Sequence, residues 1–222
     1  MNIFRILGDA AHLVSILILI HKIHLSKSCR GISFKTQLLY FLVFAMRYSN
    51  LFSTSDKWSW LFTLYLFLMR VFFLGSSAYV LYLMRIRFKP THDPAIDTIR
   101  LEYLLGPAFA LGVLTHYRDS PSGTLYEILW ATSIYLEAVA ILPQLFMLQR
   151  TGEAETITTH YLFALGLYRA LYIPNWIWRL ATEKFWDPIS IVSGLVQTGL
   201  YLDFFYVYFT KVMQGQKFEL PA

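Results

Sequence analysis

Cysteine is almost missing from this chain. The single residue, Cys29, excludes an internal disulfide and leaves the redox compartment open. Charge is also scarce, because Asp, Glu, Lys and Arg together make only 15% of the 222 residues. That excludes an ordinary soluble domain, which carries about 25% charged residues. There is no Ser–His–Asp spacing, no HExxH, no cluster at metal-ligand spacing and no phosphate-cradling glycine loop. An enzyme is therefore not expected, and neither is a metal or an organic cofactor. Acids are outnumbered 14 to 19, for a formal net charge of +5. The basic excess lies between apolar segments, where the positive-inside rule accounts for it, so no nucleic-acid partner is expected.

What the chain has in quantity is hydrophobic residues, 56% of the total. Seven apolar segments stand out at about 4–23, 34–52, 60–84, 99–117, 125–148, 157–180 and 188–210. A bilayer-spanning helix needs about 20 mostly apolar residues, so an all-α membrane protein with seven transmembrane helices is expected. One domain covers 1–222, and residues 211–222 form a short tail. The first segment starts close to Met1 and holds Asp9 and His12, which reads as a retained span rather than a cleaved leader. Ser33 and Thr158 are candidate N-caps of the second and sixth helices.

Orientation follows from counting cations by loop. Lys22, Lys27, Arg30, Lys35, Arg85, Arg87, Lys89, Arg100, Arg150, Lys211 and Lys217 fall on one side. Only Lys57, Arg118 and Lys184 fall in the loops of the other, with Arg5 and Arg179 near helix ends. The first side is expected to be cytosolic, with a lumenal or external N-terminus and a cytosolic C-terminus.

The costly residues are Arg5, Arg47, Arg70, Arg169 and Arg179, inside or at the mouths of apolar segments that also hold Asp9, Glu127, Glu137 and Asp203. A charge at a helix centre costs about 2.5–3.5 kcal/mol on the insertion scale. Helical spacing groups them. Arg5, Asp9 and His12 share one stripe; Glu127, Trp130, Ile134 and Glu137 another; Tyr168, Tyr172, Asn175 and Arg179 a third, with Arg169 and Trp176 at its margin. Arg5, Arg179, Glu127 and Asn50 fall near the non-cytosolic face, Arg47 and His12 about a turn deeper, and Asp203 and Glu137 toward the middle. Each has a plainer reading: Arg5 as an interface anchor, Arg169 with Glu137 as a structural pair, His12 as a core histidine. Together they predict a polar cavity open to the lumen. Arginine forks clamp carboxylates, so the expected ligand is an anion with several carboxylates, such as an acidic peptide C-terminus. Glu127 with Trp130 suits a cation. His12 brings a group whose unperturbed pKa is about 6.5, which predicts stronger anion binding at mildly acidic pH.

The strings MNIFRILGDAAHL, CRGISFKTQLLY, VFAMRY, LEAVAILPQLFMLQRTGEAETITTHYLFALGLYRALYIPNWIWR and DFFYVYFTKV resemble the KDEL receptors over essentially the whole length. The resemblance implies a 3+1+3 helix arrangement related to SWEET and PQ-loop transporters, with Pro143–Gln144 as the named dipeptide. It implies a multi-pass protein of the endoplasmic reticulum and Golgi that binds the C-terminal KDEL- or HDEL-type signal of escaped lumenal proteins and returns them. It assigns Arg47 and Tyr48 to the terminal carboxylate, Arg5, Arg179 and Trp176 to the acidic side chains, and Glu127 and Trp130 to the basic first residue. His12, Glu137, Tyr168 and Arg169 become the pH switch. Asp203, Lys211 and Lys217 become trafficking residues: Asp203 is tied to transport back to the endoplasmic reticulum, and the cytosolic tail that holds Lys211 and Lys217 is exposed to the COPI coat, with membrane lipids as the remaining partners. Asn50 stands where relatives carry an acid, which points to HDEL or a broader set of signals. Arg70 appears at the position of a family lysine, with no assigned role. The competing reading is a small-solute transporter, of organic anions or sugars, on the same scaffold.

Overall fold

The computed structural model describes residues 2–50, 60–91, 94–118, 123–151, 153–154, 156–210, 212–214 and 218–219. Helix dominates them. The α-helices are α1 (Ile3–Ser26), α2 (Phe34–Arg47), α3 (Trp60–Tyr82), α4 (Glu102–Thr115), α5 (Thr124–Val139), α6 (Leu142–Thr151), α7 (Thr156–Glu183), α8 (Pro188–Leu200) and α9 (Leu202–Thr210). A π-helical turn, Leu83–Arg87, extends α3. A two-residue antiparallel pair joins β1 (Glu153–Ala154) to β2 (Phe218–Glu219), so the end of the chain returns to the α6–α7 connection.

Local chemistry sets several of the helix ends. Asn2 caps α1 by accepting from the Arg5 backbone N–H at 3.0 Å. Ser33 caps α2 by accepting from Thr36 at 3.1 Å. Thr158 does not cap α7: the helix starts two residues earlier, and Thr158 is buried within its first turn. The 125–148 segment is not one helix. Pro143 has no N–H and its ring would clash with the Val139 carbonyl, so the helix breaks at Ala140–Ile141 and resumes as α6. The 188–210 segment also breaks, at Tyr201, where α8 and α9 meet at a 42° bend. Thr198 there donates back to the Gly194 carbonyl at 2.8 Å, a bond that loosens the helix ladder. By contrast α7 runs unbroken through Pro174.

Among the described residues three helices are long and apolar enough to cross a membrane: Ile3–Ser26, Trp60–Arg87 and Thr124–Thr151; the bent α8–α9 pair makes a fourth if it counts as one span. The 14-residue α2 reaches only about 21 Å at 1.5 Å per residue. The 28-residue α7 is long enough, but its polar stripe lowers its hydropathy.

α1 packs along α7, α2 against α3 and α5, and α8 against both α5 and α7. α4 lies outside on α5, and Gly112 makes that approach possible, since a Cβ there would collide with Thr132. One apolar core, including Leu19, Leu39, Val43, Leu136, Leu162 and Leu165, runs through the centre. Large side chains such as Leu64, Leu68, Phe109, Leu114, Ile177 and Val192 stay exposed on the outside, as a lipid-facing surface requires. At the end holding the C-terminus of α1, Gln144 ties the break in the α5–α6 segment to the α1–α2 loop. Its Oε1 accepts from Ser33 N at 2.8 Å and its Nε2 donates to the Gly31 carbonyl at 2.9 Å.

Candidate functional site

Polar residues from α1, α2, α5, α7 and α8 converge at the opposite end, around a cavity of about 280 Å³. Its floor is Glu137, whose side chain is 1% exposed. Arg47 of α2 reaches Glu137 Oε2 at 2.6 Å, and Arg169 of α7 pairs with the same oxygen. Tyr168 donates its hydroxyl to Oε1 at 2.6 Å, and Gln197 of α8 donates to that hydroxyl at 3.3 Å. Arg47 Nε also donates to Ser133 Oγ at 3.2 Å. One carboxylate thus serves two guanidinium groups, so the floor carries surplus positive charge. A low-dielectric surround makes that surplus count for more than it would in water.

His12 lies flat on Tyr168, with ring centroids 4.1 Å apart, and is packed by Phe73 at 4.7 Å and Phe44 at 5.7 Å. A proton on His12 would therefore add a cation one residue away from the Tyr168–Glu137 hydrogen bond. Arg169 lies over the rings of Tyr168 and Tyr172, 5.0 and 5.8 Å from their centroids. Trp176 fills the space above, lodged against α8 at Gly194, where any Cβ would overlap the indole.

The walls nearer the surface are looser. Arg5 Nε is 3.9 Å from Asp9 Oδ2. Asp9 is held by Tyr172 and Tyr65, whose hydroxyls donate at 2.6 and 3.2 Å. Arg179 Nε donates to Glu183 Oε2 at 2.7 Å, and its guanidinium lies 3.8 Å above the Phe185 ring. That hydrogen bond from Arg179 holds the Glu183 carboxyl below its usual range.

Beside this basin is a second cavity of about 420 Å³, lined by Tyr117, Tyr126, Glu127, Trp130, Phe185, Trp186 and Asp187. Trp130, Phe185 and Asp187 line both cavities. The second cavity is acidic and aromatic, where the first is rich in arginine. Asp187 caps α8 by accepting from Ser190 N at 3.2 Å and accepts from the Tyr117 hydroxyl at 2.9 Å. Burial and this carboxylate push the Tyr117 hydroxyl up, so it stays a neutral donor at physiological pH.

Of the residues singled out in the sequence, Arg5, His12, Arg47, Tyr48, Trp130, Glu137, Tyr168, Arg169, Trp176 and Arg179 line the basin, and Glu127 lines the adjoining cavity. Asn50 lines neither; it follows the turn after α2, and its backbone carbonyl accepts from Arg70 at 3.4 Å. Arg70 thus braces that turn. Asp203 lies past the bend at Tyr201, on the outer surface of the first turn of α9, and lines neither cavity. Lys211 and Lys217 lie outside the described residues. No group of three or more His, Cys, Asp or Glu side chains placed to hold a metal occurs among the described residues.

Sequence reasoning missed Asp187 as part of the site, together with the Tyr65–Asp9–Tyr172 clamp and Ser133. Asp187 had a readable signal, because Asp-Pro ahead of an apolar run is an N-cap pattern. The clamp had none, since its members lie on three helices.

Comparison with known proteins places these residues in a lineage. Residues 28–179 match the family described as ER lumen protein retaining receptor. The ER lumen protein-retaining receptor 3 of Xenopus laevis is 54% identical over 221 residues, spanning 100% of this chain and 99% of that protein. The ER lumen protein-retaining receptor 2 of Homo sapiens is 54% identical over 222 residues and the full length of both chains, and that of Gallus gallus matches equally.

Proposed function

The chain belongs to the family of ER lumen protein-retaining receptors, and on that premise we propose that it binds the C-terminal KDEL- or HDEL-type signal of escaped lumenal proteins and carries them back to the endoplasmic reticulum. The observation that carries this reading is the junction of two cavities of opposite character. A retrieval signal has a basic or polar head, then acidic side chains, then a free carboxylate. The acidic, aromatic cavity at Glu127 and Asp187 suits the head, and the arginine basin suits the rest. The lengths agree. Glu127 and Glu137 are ten residues apart on α5, a rise of about 15 Å. Four extended residues span about 13–14 Å.

Arg47 and Tyr48 are assigned to the terminal carboxylate, and Arg5, Arg179 and Trp176 to the acidic side chains. Glu127 and Trp130, with Asp187 added, take the head of the signal. Asn50 contributes no charge to the choice of head, which favours HDEL or a broader set over strict KDEL. His12, Tyr168, Glu137 and Arg169 form the switch. A ligand carboxylate that takes up Arg47 frees half of the charge load on Glu137, and a protonated His12 supplies the replacement, so binding strengthens in mild acid. The protein is a non-enzymatic, multi-pass receptor of the Golgi and endoplasmic reticulum. α1, α2, α3, α4, α5–α6, α7 and α8–α9 are its seven spans, in the 3+1+3 order of SWEET-like proteins. The N-terminus is lumenal, and a cytosolic tail meets the COPI coat through Lys211 and Lys217, with Asp203 serving transport.

A solute transporter needs a path onward from the basin. Beneath His12 lie the buried Tyr40, Phe44, Tyr161 and Leu165, with a void of only about 20 Å³ between them. That closed layer favours a receptor. The test is binding of labelled peptides ending in KDEL, HDEL or an amidated equivalent, from pH 5 to 7.5. Free-carboxylate peptides are expected to bind more tightly in acid and the amidated peptide to bind weakly throughout. Equal binding of the amidated peptide would remove the carboxylate role of Arg47, and a flat pH profile would remove the switch.

A further inference from the structure

At the end of the bundle away from the arginine basin, a cavity of about 450 Å³ opens between the C-terminal ends of α1 and α3. His24, Lys27, Tyr79, Tyr82, Leu83, Arg87 and Phe88 line it, and none of these is acidic. Lys27 and Arg87 are exposed, and neither makes an ion pair among the described residues. His24 and Tyr79 are joined by a 3.0 Å hydrogen bond that holds both rings at the rim.

Both cations are presented by unusual backbone. Lys27 follows α1 in the left-handed region, at φ 48° and ψ 33°, where glycine would ordinarily end a helix. Arg87 closes the π-helical turn Leu83–Arg87, an irregularity that often accompanies functional sites. The turn also divides two cavities, because Arg85 lines a neighbouring one of about 530 Å³ with Lys35, Lys89 and Asp97. In that neighbour the charge is already balanced in part. Asp97 accepts from Ser33 Oγ and Lys35 N, and Lys35 Nζ donates to the Ile99 carbonyl at 2.8 Å. The His24–Lys27–Arg87 cavity has no such internal partner.

The flanking surface is apolar. Leu25 is 64% and Ile86 66% exposed, and Tyr82 is 46% exposed at the same level. Tyrosines, cations and bare aliphatic side chains side by side match an amphiphile with an anionic head.

We propose that the cavity between the ends of α1 and α3 binds the phosphomonoester head of an anionic membrane lipid, clamped by Lys27 and Arg87. Arg87 offers a planar fork to two phosphate oxygens, Lys27 a point charge, and Tyr79 or His24 a hydrogen-bond donor. The site does not depend on which peptide, if any, the basin takes.

The test uses the full-length protein in phosphatidylcholine nanodiscs doped with phosphatidylinositol 4-phosphate, or with phosphatidylserine at equal charge, and native mass spectrometry of retained lipid. Retention of the phosphomonoester lipid over phosphatidylserine is expected. Lys27→Gly keeps the left-handed cap in its preferred residue, so it removes the charge without unfolding the helix end. Combined with Arg87→Gln, it should weaken retention by about tenfold or more, from about 1 kcal/mol per cation. Arg85→Gln, across the π turn, should leave retention unchanged. Equal retention of both lipids, or an equal loss with Arg85→Gln, would mean a diffuse surface charge and overturn the site. Soluble inositol 1,4-bisphosphate provides the other arm. If it displaces the lipid at equal concentration, the cavity takes a free phosphate and the membrane source is overturned. Retrieval-peptide binding by the same samples reports their folding and stands or falls separately.

Discussion

The arginines at the floor of the basin and those at its mouth solve the same electrostatic problem in opposite ways. Arg47 and Arg169 share one buried carboxylate, so the floor is held together yet one negative charge short. Arg5 and Arg179 each have an acid of their own, Asp9 and Glu183, at half-exposed sites one helical turn away. Removing a partner from a buried cluster leaves an uncompensated charge in low dielectric, whereas an exposed i, i+4 pair contributes about 0.3–0.5 kcal/mol. The floor therefore couples structure to ligand, while the mouth tunes affinity.

Four substitutions break or sharpen that contrast. The largest effect is expected from Glu137→Gln, which strands two guanidinium groups. About 3–5 kcal/mol of stability should be lost, read as a lower Tm of the detergent-solubilised protein. Arg169→Met leaves the neutral Arg47–Glu137 pair and should cost clearly less. Equal losses would mean that the floor is not charge-surplus.

Next comes Arg47→Gln, measured with both free and amidated peptides. A hydrogen-bonded charge partner contributes about 1.5–3 kcal/mol, so the free-carboxylate peptide should bind about 10- to 150-fold more weakly. The amidated peptide should lose little further. Parallel losses for the two peptides would place the carboxylate elsewhere.

The smallest effect is at the mouth. Glu183→Gln releases Arg179 from its partner and should raise affinity for an acidic peptide about two- to threefold at low salt, fading as salt screens the site. The Arg179 hydrogen bond lowers the Glu183 pKa. The carboxylate therefore stays ionised above its ordinary range, and the pair is lost only as pH falls below it. The gain should accordingly be the same at pH 5.5 and pH 7.5. A gain confined to one of these would make Glu183 part of the switch.

Much of this arrangement is legible in the linear sequence, and where it is not, the reason is physical. The stripes on the first, fifth and sixth segments are one-helix properties, and α1, α5 and α7 present them as helical spacing requires. The breaks at Ala140–Ile141 and Tyr201 fall inside apolar segments that read as continuous helix, although Pro143 carries the signal for the first. The second depends on Thr198 bonding back to Gly194, and many intact helices tolerate that bond. That bend also separates Asp203, in the first turn of α9, from the part of the segment that reaches the basin. Asn50 takes its place beside the ligand from the family resemblance; α2 ends at Arg47, and the turn that follows leaves Asn50 outside the linings of both cavities.

By itself the sequence determined that this is an apolar helical chain with more embedded arginines than an idle membrane protein would carry, and which residues of each helix share a face. Those are consequences of composition and of 3.6 residues per turn. Only the tertiary structure decided that Arg47 and Arg169 meet on one oxygen of Glu137, that Asp187 joins Glu127 and Trp130, and that the acidic and basic cavities adjoin. Each of those depends on the rotation and depth of separate helices against one another. Packing between side chains such as Gly112 and Thr132, or Gly194 and Trp176, fixes these quantities, and no periodicity within a single helix encodes them.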